Sequence, residues 1–308
     1  MEKNPGTFGA LATSFALKRL PESQIELSGD IPAEVIAPYR TRALKEIAKQ
    51  VDLPGFRKGK VPADMALKKI GEVAVLEEAV EHFMRDFYPA LASAHKADVV
   101  GRPEIRITKL APGNPVSLVI QVVVYPEVHI PKDWKGVAEK IPLEAYTGEL
   151  PKMKVPPSPE EEQKARDYMA RDQRRGKIIN ALLEKVAVEI PKIFIESELE
   201  KIISQLKEDV ARFGVTYEAY LRQINKTEEV LRGEFRDQAT KRAKLQLTLN
   251  KIAQDEHVEA DGGAVAREIK HALEHFPKAS PDLLQIHIET VLKNEKVLQL
   301  LESGEKKE

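Results

Sequence analysis

Leu53-Pro54-Gly55-Phe56-Arg57-Lys58-Gly59-Lys60-Val61-Pro62 crowds one aromatic and three cations between two glycines and two prolines. Glycine permits positive φ and proline fixes φ, so the stretch reads as a shaped tip rather than as part of a helix or strand. Helical patterns flank it. Before it, Ile36, Tyr39, Ala43, Ile47 and Val51 recur at helical spacing; after it, Met65, Leu67, Ile70, Val73, Leu76 and Val80 do the same, and Phe83, Phe87 and Leu91 extend the stripe to about His95. A tip held between helices can carry function on a rigid scaffold. Phe56 is its candidate anchor, and Arg57, Lys58 and Lys60 are candidate contacts to phosphate or carboxylate. The alternative is a plain helix connection whose charges sit in water.

Further out, the period changes. Phe15, Leu17, Ile25, Leu27 and Ile31 alternate with polar residues and predict strands. Asp30, Pro32 and Glu34 mark a helix start, with Pro38 expected to kink that helix or delay it. Beyond Gly101-Arg102-Pro103, Ile105 and Ile107 alternate, Ala111-Pro112-Gly113-Asn114 forms a turn, and Val116, Leu118, Ile120, Val122 and Val124 share one strand face. Strand, two helices joined by the basic loop, then a hairpin make an α+β domain with helices on one face of an antiparallel sheet. This domain is expected to span residues 1–136, with Met1 to Thr13 a frayed leader.

The remainder reads as helical. Gly148 to Pro159 holds four prolines, Pro151, Pro156, Pro157 and Pro159, and no clear period, as an extended linker does. Ser158-Pro159-Glu160-Glu161 combines an N-cap, a proline at the first helical position and a capping-box Glu, so a helix runs towards Lys185, weakened at Gly176. Further helices follow Pro191 as far as Gly214, cover Tyr217 to Ile224, run about 45 Å from Thr227 to Glu256, cover Val265 to Phe276, and start again at Ser280-Pro281-Asp282. The expected division is a linker or arm over 137–175 and an all-α domain over 176–308.

Composition narrows the function. The 308-residue chain has a formal net charge of -1, so it is not a polyelectrolyte binder of nucleic acid as a whole. From Arg40 to Ile70, however, nine cations face three anions, a local excess of +6 suited to a polyanion such as rRNA. The absence of cysteine excludes disulfides and thiolate chemistry and is compatible with a reducing cytoplasm. No stretch approaches the roughly 20 apolar residues of a membrane span, and Phe8 to Leu17 is a poor signal peptide. His271 and His275 are spaced i, i+4, but no HExxH pattern accompanies them and no metal site is expected there. Gly262-Gly263 reads as a turn before a helix, not a phosphate loop, and no Gly-x-Ser-x-Gly elbow occurs. No cofactor is called for and no catalytic residue is named.

Gly55-Phe56-Arg57-Lys58-Gly59-Lys60-Val61-Pro62 resembles the signature of the trigger factor family of bacterial chaperones. Much of Ser14 to Gly136 and of Gly176 to Leu301 is similar to that family's first and last domains, and Val186 to Pro191 and Gln205 to Tyr220 resemble the start of the last. The resemblance implies a helical body with projecting arms that hold nascent and unfolded polypeptides. It also implies docking at the ribosomal exit tunnel, on ribosomal protein and rRNA, through Gly55, Phe56, Arg57, Lys58, Gly59, Lys60 and Pro62. It implies a cytoplasmic protein with no membrane partner, and leaves room for a homodimer. Family members commonly carry a central prolyl isomerase domain of the FK506-binding type. The interval from Gly136 to Arg175 is too short for it, so an isomerase is the runner-up reading and a periplasmic-type holdase the third.

Overall fold

The computed structural model describes residues 5–57, 60–150 and 158–303. The chain divides into two compact units, residues 1–126 and 127–308. Among the described residues no helix is long and apolar enough to cross a membrane.

The first unit is built on a four-stranded antiparallel sheet: β1 (Ala16–Leu20), β2 (Gln24–Ile31), β3 (Val99–Lys109) and β4 (Val116–Val124), in the order β1-β2-β4-β3. Register sets Ile25 opposite Val122, Leu27 opposite Ile120 and Ile31 opposite Val116. All six are buried, so period-2 alternation in both central strands delivers one apolar face. Gly29 interrupts that row for a reason of space: a Cβ there would lie 2.7 Å from the Phe15 ring, which packs against it. The turn expected at Ala111 to Asn114 is closed by the Asn114 amide donating to the Ala111 carbonyl at 3.1 Å.

The helices α1 (Pro5–Ser14), α2 (Ala33–Gln50), α3 (Ala63–Ile70) and α4 (Glu72–Ala94) complete this unit. Val75, Leu76, Ala79, Val80, Phe83, Met84, Phe87 and Leu91 of α4 form the buried stripe that joins the sheet core. Three expectations need correction. The supposed leader is helix α1, held by Phe8, whose ring meets those of Phe83 at 5.9 Å and Phe87 at 5.7 Å. The run after the loop is not one helix: it breaks at Gly71, whose φ of 91° suits only glycine, so the loop opens into the short α3 before α4 begins. Pro38 does not delay α2, which starts at Ala33 and runs through it.

The second unit contains α5 (Pro159–Lys185), α6 (Lys192–Arg212), α7 (Tyr217–Gln223), α8 (Glu228–Asp255), α9 (Gly262–His275) and α10 (Pro281–Ser303). The capping box is formed: the Ser158 side chain accepts from the Glu161 amide, and Glu161 accepts from the Ser158 amide at 2.8 Å. Gly176 leaves α5 unbroken. The contact division between the two units falls after Pro126, and α5 spans position 175. Trp134, Val137 and Ala138, in a 3-10 turn over Trp134–Lys140, are buried in the helical unit. Arg174 of α5 holds that turn, donating to the carbonyls of Ile141 at 2.8 Å and Ala138 at 3.0 Å. Val137 and Ala138 are buried, most side chains over 142–149 are exposed, and α5 crosses position 175 without a break. The helices are cross-tied by side chains: Arg232 of α8 donates to Glu196 and Glu200 of α6 at 2.9 and 2.8 Å, and Arg175 of α5 pairs with Glu295 and Glu302 of α10.

Candidate ligand-docking loop and apolar helix faces

The loop between α2 and α3 is shaped from within. Val51, at the end of α2, donates to Ile47, closing the last turn. The Phe56 amide donates to the Leu53 carbonyl at 3.0 Å, making a turn whose third residue, Gly55, takes φ 90°. No atom lies near a Cβ built at Gly55, so it is backbone conformation, not space, that calls for glycine. The Lys60 amide donates to the Arg57 carbonyl at 2.9 Å. Val61 then plunges into a small cluster with Ala48 and Ala66, over which Val51 and Leu53 fold. Pro62 precedes α3, and its carbonyl accepts from Met65 and Ala66. The Lys69 ammonium donates to the Asp52 carbonyl, so α3 also grips the outgoing end of α2.

The structure thus gathers most of the residues singled out from sequence. Phe56 is 36% exposed, a large apolar ring presented to solvent, and Arg57 and Lys60 beside it are exposed. Gly55 and Pro62 shape the ends. Lys58 and Gly59 lie outside the described residues. Val61 was not among the sequence candidates; its apolar side chain directly after the cations of the tip is the signal that marks it as the seat of the loop.

Beneath the loop, α2 is locked to α4. Arg40 forms a two-pronged pair with Glu72, Nη2 to Oε2 at 2.8 Å. This hydrogen bond holds the Glu72 carboxyl below the usual carboxylate range, against the opposing effect of partial burial. Tyr39 donates to Asp86 at 3.3 Å, and burial first and Asp86 second push its phenol up.

In the helical unit, apolar side chains are exposed at several places. Phe213 at the end of α6 is 85% exposed, and Phe276, Leu283 and Ile286, where α9 gives way to α10, are each exposed by more than 60%. Val291, further along α10, is also exposed. Exposed large apolar groups of this kind are the sort of surface that interaction sites use. Gly262-Gly263 opens α9, and the Asp261 carboxylate accepts from the Ala264 amide at 2.6 Å. A carboxylate therefore fills the position where a helix N-terminus would receive a phosphate.

Comparison with known proteins agrees with this layout. A family profile described as "Bacterial trigger factor protein (TF)" matches residues 13–150, and one described as "Bacterial trigger factor protein (TF) C-terminus" matches residues 159–305. The trigger factor of Mycobacteroides abscessus is 34% identical over 122 residues, 40% of this chain and 25% of that protein. That of Corynebacterium diphtheriae is 32% identical over 127 residues, 41% of this chain and 28% of that protein. The chain thus spans about a quarter of the length of the curated relatives it matches. A chain solved in work on "Promiscuous Substrate Recognition in Folding and Assembly Activities of the Trigger Factor Chaperone" shares the fold over 94% of this chain and 100% of its own, with a TM-score of 0.54 at 16% identity. Residues 151–158 alone separate the two matched regions, which leaves no room between them for the central domain. The chain belongs to the bacterial trigger factor family, with the family's N-terminal region joined directly to its C-terminal one.

Proposed function

We propose that this protein is a ribosome-associated, ATP-independent chaperone of the cytoplasm that shields nascent and unfolded polypeptides. The loop over residues 53–62 docks beside the exit tunnel: Phe56 fills an apolar pocket on ribosomal protein, and Arg57, Lys58 and Lys60 meet carboxylates or rRNA phosphates. The exposed apolar groups of the helical unit hold the client. The observation that carries this reading is the exposed Phe56 ring beside Arg57 and Lys60, on turns fixed by Gly55 and seated by the buried Val61. A rigid aromatic anchor with flanking cations is the composition of an interaction hot spot.

Prolyl isomerisation is not part of the proposal. Lowering a rotation barrier of ~18–20 kcal/mol calls for a pre-shaped apolar pocket around the proline, and the eight residues 151–158 between the matched regions are too few to build one. Holding a chain asks only for apolar contacts on a charged, soluble frame. Aggregation of a denatured client, followed by light scattering without nucleotide, tests this. Suppression at near-stoichiometric protein, with no acceleration of cis–trans exchange in a proline peptide, is the expected result. Unchanged aggregation, or catalytic turnover of the peptide, would overturn it.

A further inference from the structure

His82 is the exception on the apolar face of α4. It lies among Ala79, Val80 and Phe83 and is only 5% exposed. Its Nε2 is shielded from solvent and makes no hydrogen bond. Two carboxylate oxygens nevertheless stand against it, Glu46 Oε2 of α2 at 2.9 Å and Glu78 Oε1, one turn back on α4, at 3.3 Å. At those distances both oxygens and the ring nitrogen are near enough to share one ion.

The dimensions agree. Bonds of about 2.0–2.1 Å from a tetrahedral ion set neighbouring ligand atoms roughly 3.3 Å apart, and the three ligand atoms here all lie within 4.8 Å of one another. Arg42 Nε donates to Glu46 Oε1 at 2.9 Å, which orients that carboxylate and leaves Oε2 for the site. Both carboxylates are 38% exposed at their side chains, so the remaining position opens to water. The donor set decides the ion. One imidazole with two carboxylates suits zinc and its neighbours, whereas magnesium and calcium prefer oxygen alone. One divalent charge matches two carboxylate ligands.

We propose that Glu46, Glu78 and His82 form a binding site for a zinc-class divalent cation, with water as the fourth ligand. The ion bridges α2 and α4 one turn before α2 ends and the loop begins.

The test uses the full chain, free of tags, stripped with chelator and carrying His271→Gln and His275→Gln. Those two rings, 4.9 Å apart on α9, are removed so that they contribute no zinc binding. Zinc is titrated by calorimetry, with cobalt as an optical probe. The expected result is one equivalent bound, a rise in Tm with zinc, and visible cobalt bands of tetrahedral nitrogen–oxygen coordination. E46Q and E78Q should each weaken binding on the order of tenfold or more, since even loss of an outer partner costs that much, and H82Q should abolish it. Should H82Q fail to fold, the two half-exposed carboxylate variants decide the matter. No bound equivalent, or affinity unchanged in both E46Q and E78Q, overturns the site and leaves the two carboxylates as plain neighbours of His82.

Discussion

Arg40 and Glu72 clasp α2 to the first turn of α4, with guanidinium Nη2 and Nε each donating to one carboxylate oxygen. Glu72 directly follows the break at Gly71 and Arg40 lies mid-helix in α2, so the pair ties the start of α4 to the middle of α2. Both side chains are about one third exposed, which limits the pair's worth to about 1 kcal/mol. Arg40→Ala should lower the Tm of the first unit by a few degrees, read by circular dichroism.

The same pair sets a pH dependence. Hydrogen bonding to Arg40 depresses the Glu72 carboxyl in the folded state. Its contribution is therefore whole above the unfolded value near 4.3 and is lost as pH falls through the lower folded value. Glu196 behaves alike, held down first by its hydrogen bond to Arg232. Glu72→Gln should flatten the acid limb of the first unit's stability curve below about pH 4.5. An acid limb identical to that of the unsubstituted protein would remove this pair as its cause.

The two units should separate experimentally. Trp134 is the chain's single tryptophan and is buried in the second unit. A fragment of residues 1–126 should fold with cooperative thermal loss of its circular dichroism, and in the full chain tryptophan emission should follow the helical unit alone. A fragment without a cooperative transition would mean that the sheet core depends on the second unit.

Much of this was legible in the sequence, and the misses share a cause. Ile25, Leu27, Ile31 and the Val116 to Val124 run announce buried strand faces because strand period is set by local geometry. Ser158-Pro159-Glu160-Glu161 announces a helix start because the capping box is self-contained. Helix α1 was hidden, since it is short, holds Gly6 and Gly9, and is fixed by Phe8 reaching Phe83 and Phe87 far along the chain. The burial of Trp134 and the meeting of Glu46 with His82 are likewise tertiary; no window around either reports it. At the loop, residue types and the glycine and proline positions could be read directly, whereas the anchoring of Val61 on Ala48 and Ala66 needed the fold.

Loop shape should matter separately from loop charge. Gly55→Val places a β-branched residue at φ 90°, a cost of about 1–2 kcal/mol in backbone strain. Val61→Asp puts a charge into the cluster with Ala48 and Ala66. Both should weaken ribosome binding with all three cations retained, and Val61→Asp should raise amide exchange across residues 48–66.

On α10, Leu283→Ser with Ile286→Ser removes exposed apolar surface without touching the core. Stability should change by no more than about 0.5 kcal/mol per site, while suppression of client aggregation falls. Full suppression by this variant would place client contact elsewhere, with Phe213 the next position to substitute.

The most direct measurement of the docking claim is co-sedimentation with ribosomes of the chain carrying Phe56→Ala, Arg57→Ala and Lys58→Ala together. Loss of an aromatic anchor commonly costs ~2 kcal/mol or more, and loss of two cations should flatten the salt dependence of whatever binding remains. The expected result is that the variant stays in the supernatant at concentrations where the unsubstituted chain pellets, with unchanged helicity by circular dichroism. Undiminished pelleting of the triple variant would contradict the account.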